Sequence, residues 1–181
     1  MAKLLVALAA LLAASPAPAD DKLWSLLKGG SQVVLIRHTI TTPGAGDPPG
    51  MRLDDCSTQR NLTDAGRAHA RRIGEAFRSR GIPVERVLSS PWCRCLETAQ
   101  LAFGKAEISD ALSNLFGRPQ NRERQIHQMR ALTTVKASAG NMILVTHGST
   151  IHALTGVSPG TGEMVVFSRG EVAGRLVLPD G

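Results

Sequence analysis

A three-layer α/β sandwich, with a mostly parallel central sheet and helices on both faces, is predicted by three observations. Two short apolar runs, Val33-Val34-Leu35-Ile36 and Met142-Ile143-Leu144-Val145, are bounded by polar and glycine residues, the pattern of strands buried on both faces of a parallel sheet. Capped stretches of helical length and periodicity stand between and after them. Strand and helix alternate without repeat, linker or low-complexity tract in the body of the chain, which favours one layered domain.

Taken in order, Asp21 to Lys28 reads as a short helix ended by Gly29-Gly30, and Val33 to Ile36 as the first strand. Thr39 to Gly50, with three prolines and three glycines, is a loop at the strand's carboxyl end, where an open α/β fold receives its ligand. A helix from Thr63 to Arg80 starts at a threonine cap and stops at Gly81, with Ala70, Ile73, Ala76 and Phe77 on its buried face. Arg86 to Ser89 is a second strand, and Trp92 to Ala102 a helix with Pro91 at its start. Glu107-Ile108 reads as a brief strand. Arg122 to Ala137 is a charged helix before the Met142 strand, and Ser149 to Leu154 a short helix after it. Met164 to Phe167 and Val172 to Leu178 form a terminal hairpin around Ser168-Arg169-Gly170. His69 and His127 fall in helices and are expected at the surface or an interface. His152, five residues after His147, is expected to point away from it and to pack.

Met1 to Ala19 has a lone Lys3, an apolar stretch from Leu4 to Ala14 and small residues up to Ala19. That stretch is too short to span a bilayer and fits a secretory signal cleaved between Ala19 and Asp20, with an uncleaved anchor as the alternative. Residues 20–181 then form a single domain that is periplasmic or secreted, with no stable membrane insertion. The formal net charge of +6 favours anionic ligands, and the signal carries only one of those charges. Basic residues are dispersed among acids and aromatics make up only 3% of the chain, so nucleic acid is not the expected partner. Three cysteines in an exported chain suggest one disulfide and one thiol. Cys93 and Cys95 are too close for the usual zinc spacing, and no metal or cofactor is expected.

Each apolar run ends in a histidine, in Arg37-His38-Thr39 and Thr146-His147-Gly148. The carboxyl ends of parallel strands place both imidazoles in one crevice, beside an arginine and a glycine that opens a helix, both suited to an anion. Between them Ser89-Ser90-Pro91-Trp92-Cys93-Arg94-Cys95-Leu96-Glu97-Thr98-Ala99 reads as a strand, a turn and a helix, with Arg94 in its first turn. These segments, with Asn61-Leu62-Thr63-Asp64-Ala65-Gly66-Arg67, resemble the histidine phosphatase superfamily (phosphoglycerate mutase-like, branch 1). Its pattern is Arg-His-Gly, then Ser-Ser-Pro-x-x-Arg-x-x-Glu-Thr-Ala, then a late His-Gly. The resemblance covers Val33 to about Thr155 and implies a phosphoglycerate mutase-like sandwich.

It also implies roles. His38 would be the nucleophile, with Arg37, Arg94, His147 and the N–H groups of the helix opened by Gly148 holding the phosphoryl oxygens. Arg37 beside His38 would keep the imidazole neutral. Ser57 and Arg60 add contacts on the crevice rim, or else belong to a surface loop that caps the next helix. Two positions depart from the pattern: Thr39 stands for a glycine, and Asn114 stands where relatives carry the acid that protonates the leaving group. A carboxamide cannot deliver a proton, so Glu163, then Asp47, are the candidate donors. A Cys56–Cys93 disulfide is expected, since both residues should flank the same crevice.

The function that follows is an exported phosphatase hydrolysing a small phosphomonoester through a phosphohistidine on His38. The alternatives are a non-catalytic binder of phosphorylated glycan or lipid, which would explain Asn114 and Thr39 together, and a phosphomutase. Nothing in the sequence sets the oligomeric state.

Overall fold

Hydrophobic alternation along the strands organises the molecule. The computed structural model describes residues 18–134 and 139–178. Positions 1–17 of the expected signal and 135–137 of the charged helix lie outside the described residues. The elements are α1 (Pro18–Lys28), β1 (Val33–Arg37), α2 (Asp64–Ser79), β2 (Val84–Ser89), α3 (Cys93–Phe103), β3 (Glu107–Ile108), α4 (Arg122–Thr134), β4 (Asn141–Thr146), α5 (Gly148–Thr155), β5 (Met164–Ser168) and β6 (Glu171–Leu176). The sheet runs β3-β2-β4-β1-β5-β6. Pairs β2·β3, β2·β4 and β1·β4 are parallel, and β1·β5 and β5·β6 antiparallel.

Alternate strand residues fill two cores. Val34, Ile36, Val87, Ile143 and Val145 pack with Leu27 of α1, Ile73 and Phe77 of α2, and Ala99 of α3. Val33, Leu35, Leu88, Met142 and Leu144 face the other way, onto Met129 of α4 and Ile151 of α5. The layered sandwich predicted from the sequence is the observed fold. Every side chain of β4 is buried, so its run had to be apolar throughout its middle.

The ends of the helices follow local chemistry. Thr63 caps α2, its hydroxyl oxygen accepting from the Gly66 N–H at 3.0 Å. Gly104, at φ +72°, ends α3 in the left-handed conformation that glycine adopts without strain. β2 begins two residues earlier than expected, across a register shift between Val84 and Arg86 that period-two alternation cannot reveal. His69 is buried instead of lying at the surface. It shares a face of α2 with Ala70 and Ile73, and its ring lies where a Cβ at Gly162 would sit, 2.4 Å away. Among the described residues no helix is long and apolar enough to cross a membrane.

Cys56 and Cys93 form a disulfide and Cys95 is a buried thiol, the pairing expected from their flanking one crevice. Helices α2 and α3 touch through Gly74, where an added Cβ would fall 1.9 Å from the Ala102 carbonyl oxygen. Backbone cannot yield as a side-chain tip does, so Gly74→Ala should destabilise the fold by about 2–3 kcal/mol. Gly81→Ala, at φ +62° with open space around it, should cost only about 1 kcal/mol. Urea unfolding midpoints of the two variants provide the comparison.

Candidate active site

The register of the central pair places the reactive groups. Arg37 of β1 lies opposite Thr146 of β4, and the His38 N–H donates to the Thr146 carbonyl at 2.9 Å. His38 and His147 therefore leave the sheet at one level, their rings 5.4 Å apart between centroids. They line a cavity of about 440 Å³ with Arg37, Arg60, Arg94, Asn114 and Gly148. Its remaining wall includes Gly44, Gly46, Phe116, His152 and Ser158.

His38 is 3% exposed, and its Nδ1 lies 2.9 Å from the Thr39 carbonyl oxygen. A carbonyl only accepts, so Nδ1 carries the proton and Nε2 keeps the lone pair. Burial pushes the imidazole down to about 3, the Thr39 carbonyl opposes this, and the charges of Arg94, Arg37 and Arg60 lower it further. The neutral form expected from Arg37 alone thus owes most to desolvation. His147 is also held well below the usual histidine range, first by burial and then by His38 and the three arginines. Its Nδ1 accepts from Arg94 Nη2 at 3.4 Å, which leaves Nε2 to donate to Ser90 Oγ at 2.8 Å.

Thr39 fits without a glycine. The residue is fully buried, its N–H donates to Thr98 Oγ1 at 3.3 Å, and its φ is not positive. Gly148 opens α5 behind Arg37, where an added Cβ would meet the Arg37 side chain at 3.3 Å. The first N–H groups of a helix lack intrahelical partners. Arg37 is held from behind by Nη1 donating to the Pro159 carbonyl at 2.8 Å. Arg60 donates from Nη1 to Thr41 Oγ1 at 2.6 Å. The Nε atoms of Arg37, Arg60 and Arg94 are each buried without a protein acceptor.

Several expected placements change. Arg94 is 1% exposed, and its fork grips Asp47 at 2.6 and 3.2 Å in place of an open approach to phosphate. Asp47 also accepts from Trp92 Nε1 at 3.0 Å and the Arg60 N–H at 3.1 Å. Its burial raises its pKa, but those bonds and Arg94's charge outweigh this and hold it below the usual carboxylate range. Glu163 does not line the cavity. It accepts from the Gly160 N–H at 2.7 Å and pairs with Arg175, and burial is again overcome, so it too is shifted down. Ser57 is exposed, donates to Asp55 at 2.6 Å and takes no part in the cavity. Asn114 lines it, with Oδ1 accepting from Ser149 Oγ at 2.8 Å and from the Phe116 N–H at 3.1 Å.

His152 is exposed and lines the cavity instead of packing away from it. The expectation treated His147 as a helical position, but that residue is the extended N-cap of α5, at φ −112° and ψ 153°. Ser90 and Thr98, which orient His147 and Thr39, stood in the recognised middle segment with no role given them. Pro159, Ser158 and Phe116 carried no sequence signal of their own.

Residues 33–130 match the sequence model of the histidine phosphatase superfamily (branch 1). The chain belongs to that superfamily and is an enzyme of the phosphatase type. No curated protein sequence was found to match it. Solved structures share its fold. An open reading frame product of Mycobacterium tuberculosis, Rv3214, superposes with TM-score 0.60 at 17% identity, covering 81% of this chain and 96% of its own. The protein assigned as phosphohistidine phosphatase SixA of Agrobacterium tumefaciens gives 0.54 at 23% identity, covering 83% and 99%. A phosphoserine phosphatase of Entamoeba histolytica, solved with 3-phosphoglyceric acid, gives 0.57 at 14% identity, covering 76% and 90%.

The two depressed histidines make stability depend on pH. Unfolded imidazoles titrate near 6.5, whereas folded His38 does so at about 3 and His147 well below 6.5. Below about pH 6.5 the unfolded chain binds more protons, so stability is full above that pH and falls as pH drops toward 3. Each histidine should contribute a slope of about 1.4 kcal/mol per pH unit. Urea unfolding followed from pH 7 to 5 should show this loss, and His38→Gln should remove about half of the slope.

Proposed function

We propose that this protein is an exported phosphatase that hydrolyses small phosphomonoesters through a phosphohistidine on His38. The observation that carries the reading is a neutral imidazole whose Nδ1 proton is tied to the Thr39 carbonyl, inside a cavity walled by three arginines. Nε2 of His38 attacks phosphorus and the phosphoryl group passes to the ring. The oxygens gather negative charge, which Arg37, Arg60 and the N–H groups opening α5 are placed to stabilise, while Arg94, its fork held by Asp47, adds only its charge to the wall. His147 stays neutral between Arg94 and Ser90 and fills the floor beside the nucleophile.

The rim favours hydrolysis over phosphoryl return to a second site on a retained sugar. Gly44, Ala45, Phe116, His152 and Ser158 of the lining are all exposed, so water reaches the phosphohistidine. Export is supported by the Cys56–Cys93 disulfide, a bond that persists in oxidising compartments, and by the signal-like pattern of Met1 to Ala19.

Brief incubation with 32P-labelled substrate and a quench should leave an acid-labile, base-stable label on the native protein and none on His38→Ala. Equal label on both would refute the mechanism. Arg37→Met removes an oxyanion contact and should lower kcat by about 10² to 10³-fold. Steady-state kinetics with p-nitrophenyl phosphate measure that fall.

A further inference from the structure

We propose that His152 is the proton-transfer residue of this site, giving a proton to the departing alcohol and then taking one from water. The proposal rests on the phosphohistidine reading of His38. An alkoxide is a poor leaving group, and Asn114 holds the position from which relatives were expected to supply an acid.

Among the described residues no carboxylate lines the cavity. Both acidic candidates offered by the sequence are occupied. Asp47 accepts four N–H bonds, from Arg94 twice, Arg60 and Trp92, and Glu163 pairs with Arg175 and the Gly160 N–H. The cavity's arginines are too basic to release protons. His147 is buried with both ring nitrogens engaged. His38 is the nucleophile. That leaves His152 as the other imidazole in the lining, a side chain that can both give and take a proton.

Its placement suits the task. His152 projects from α5, whose first N–H groups open into the cavity, and its ring stands at the exposed rim where an alcohol leaves and water enters. Nδ1 lies 3.1 Å from Ser158 Oγ, which itself lines the cavity. That contact orients the ring and leaves Nε2 for the substrate oxygen.

The steps balance. As His38 Nε2 bonds to phosphorus, the ester P–O bond breaks, its electron pair stays on oxygen, and that oxygen takes the Nε2 proton of His152 in its imidazolium form, which becomes the neutral imidazole with Nδ1–H still on Ser158 Oγ. Water oxygen then bonds to phosphorus, its proton goes to His152, and the P–N pair returns to His38.

The test compares ethyl phosphate with p-nitrophenyl phosphate on the full chain and on His152→Asn. The kcat/KM for ethyl phosphate should fall about 10² to 10⁴-fold, while that for the aryl ester, whose leaving group needs no acid, changes less than about threefold. Slower attack by water should also make the variant release a burst of p-nitrophenolate and accumulate more label on His38 than the native protein does. Equal falls on both esters, or no fall on either, would overturn the assignment. A native protein that takes up no label would instead overturn the phosphohistidine reading, and this assignment with it.

Discussion

The parallel pairing of β1 with β4 is the constraint on which the site depends. Val33 to Arg37 lie beside Met142 to Thr146 without a register shift, so two segments more than a hundred residues apart end together. A slip of one residue would send Val34 and Ile36 to the wrong core, so the burial that builds the sandwich also fixes the histidines. The last ladder bond, from the His38 N–H to the Thr146 carbonyl, carries that register into the site. Catalytic geometry is thus a by-product of two apolar runs matching in length.

Around this pair the protein separates charge from lone pairs. Arginines line the wall, and the histidines between them lose their charge to burial. A protonated His38 would have no lone pair for phosphorus, and a charged His147 would add another cation to a crowded wall. Asp47 is hydrogen-bonded to this wall and joins Arg94, Arg60 and Trp92 in one buried knot. Charge-assisted bonds of this kind are stronger than neutral ones, and breaking one side of a buried pair costs several times what exposed pairs give. Asp47 is accordingly a structural counter-ion for Arg94, and its place in the Thr39–Gly50 loop ties that loop to α3.

Much of this was legible in the sequence because it rests on local pattern. The strands, the Thr63 cap, the histidines at strand ends and the Arg94 turn follow from runs, caps and spacing of a few residues. What stayed hidden depends on distant groups. Nothing near Asp47 or Glu163 in the chain announces Arg94 or Arg175, so neither carboxylate could be known to be spoken for. His69 was misjudged because a polar residue on a buried helix face reads as exposed until the Gly162 turn that covers it is known. His152 was misplaced by carrying helical angles back onto an extended cap. Thr39 fits its place because Thr98, on another element, receives its N–H.

The disulfide completes the same design at the rim. Cys93 directly precedes Arg94 and Cys56 stands four residues before Arg60, so the covalent link joins the segments that carry two of the three wall arginines. Gln59 Oε1 accepts from the Cys93 N–H at 3.0 Å, and the Arg60 carbonyl accepts from Arg94 Nη1 at 3.3 Å, inside that link. Like charges held this close repel, and the covalent link holds against that repulsion. Fixing the segments in advance leaves their donors oriented, so that little ordering remains to be offset when an anion binds. Neither Cys56 nor Arg60 belongs to the two hydrophobic cores, so the bond acts on the arginine-bearing segments at the rim more than on the sandwich beneath them.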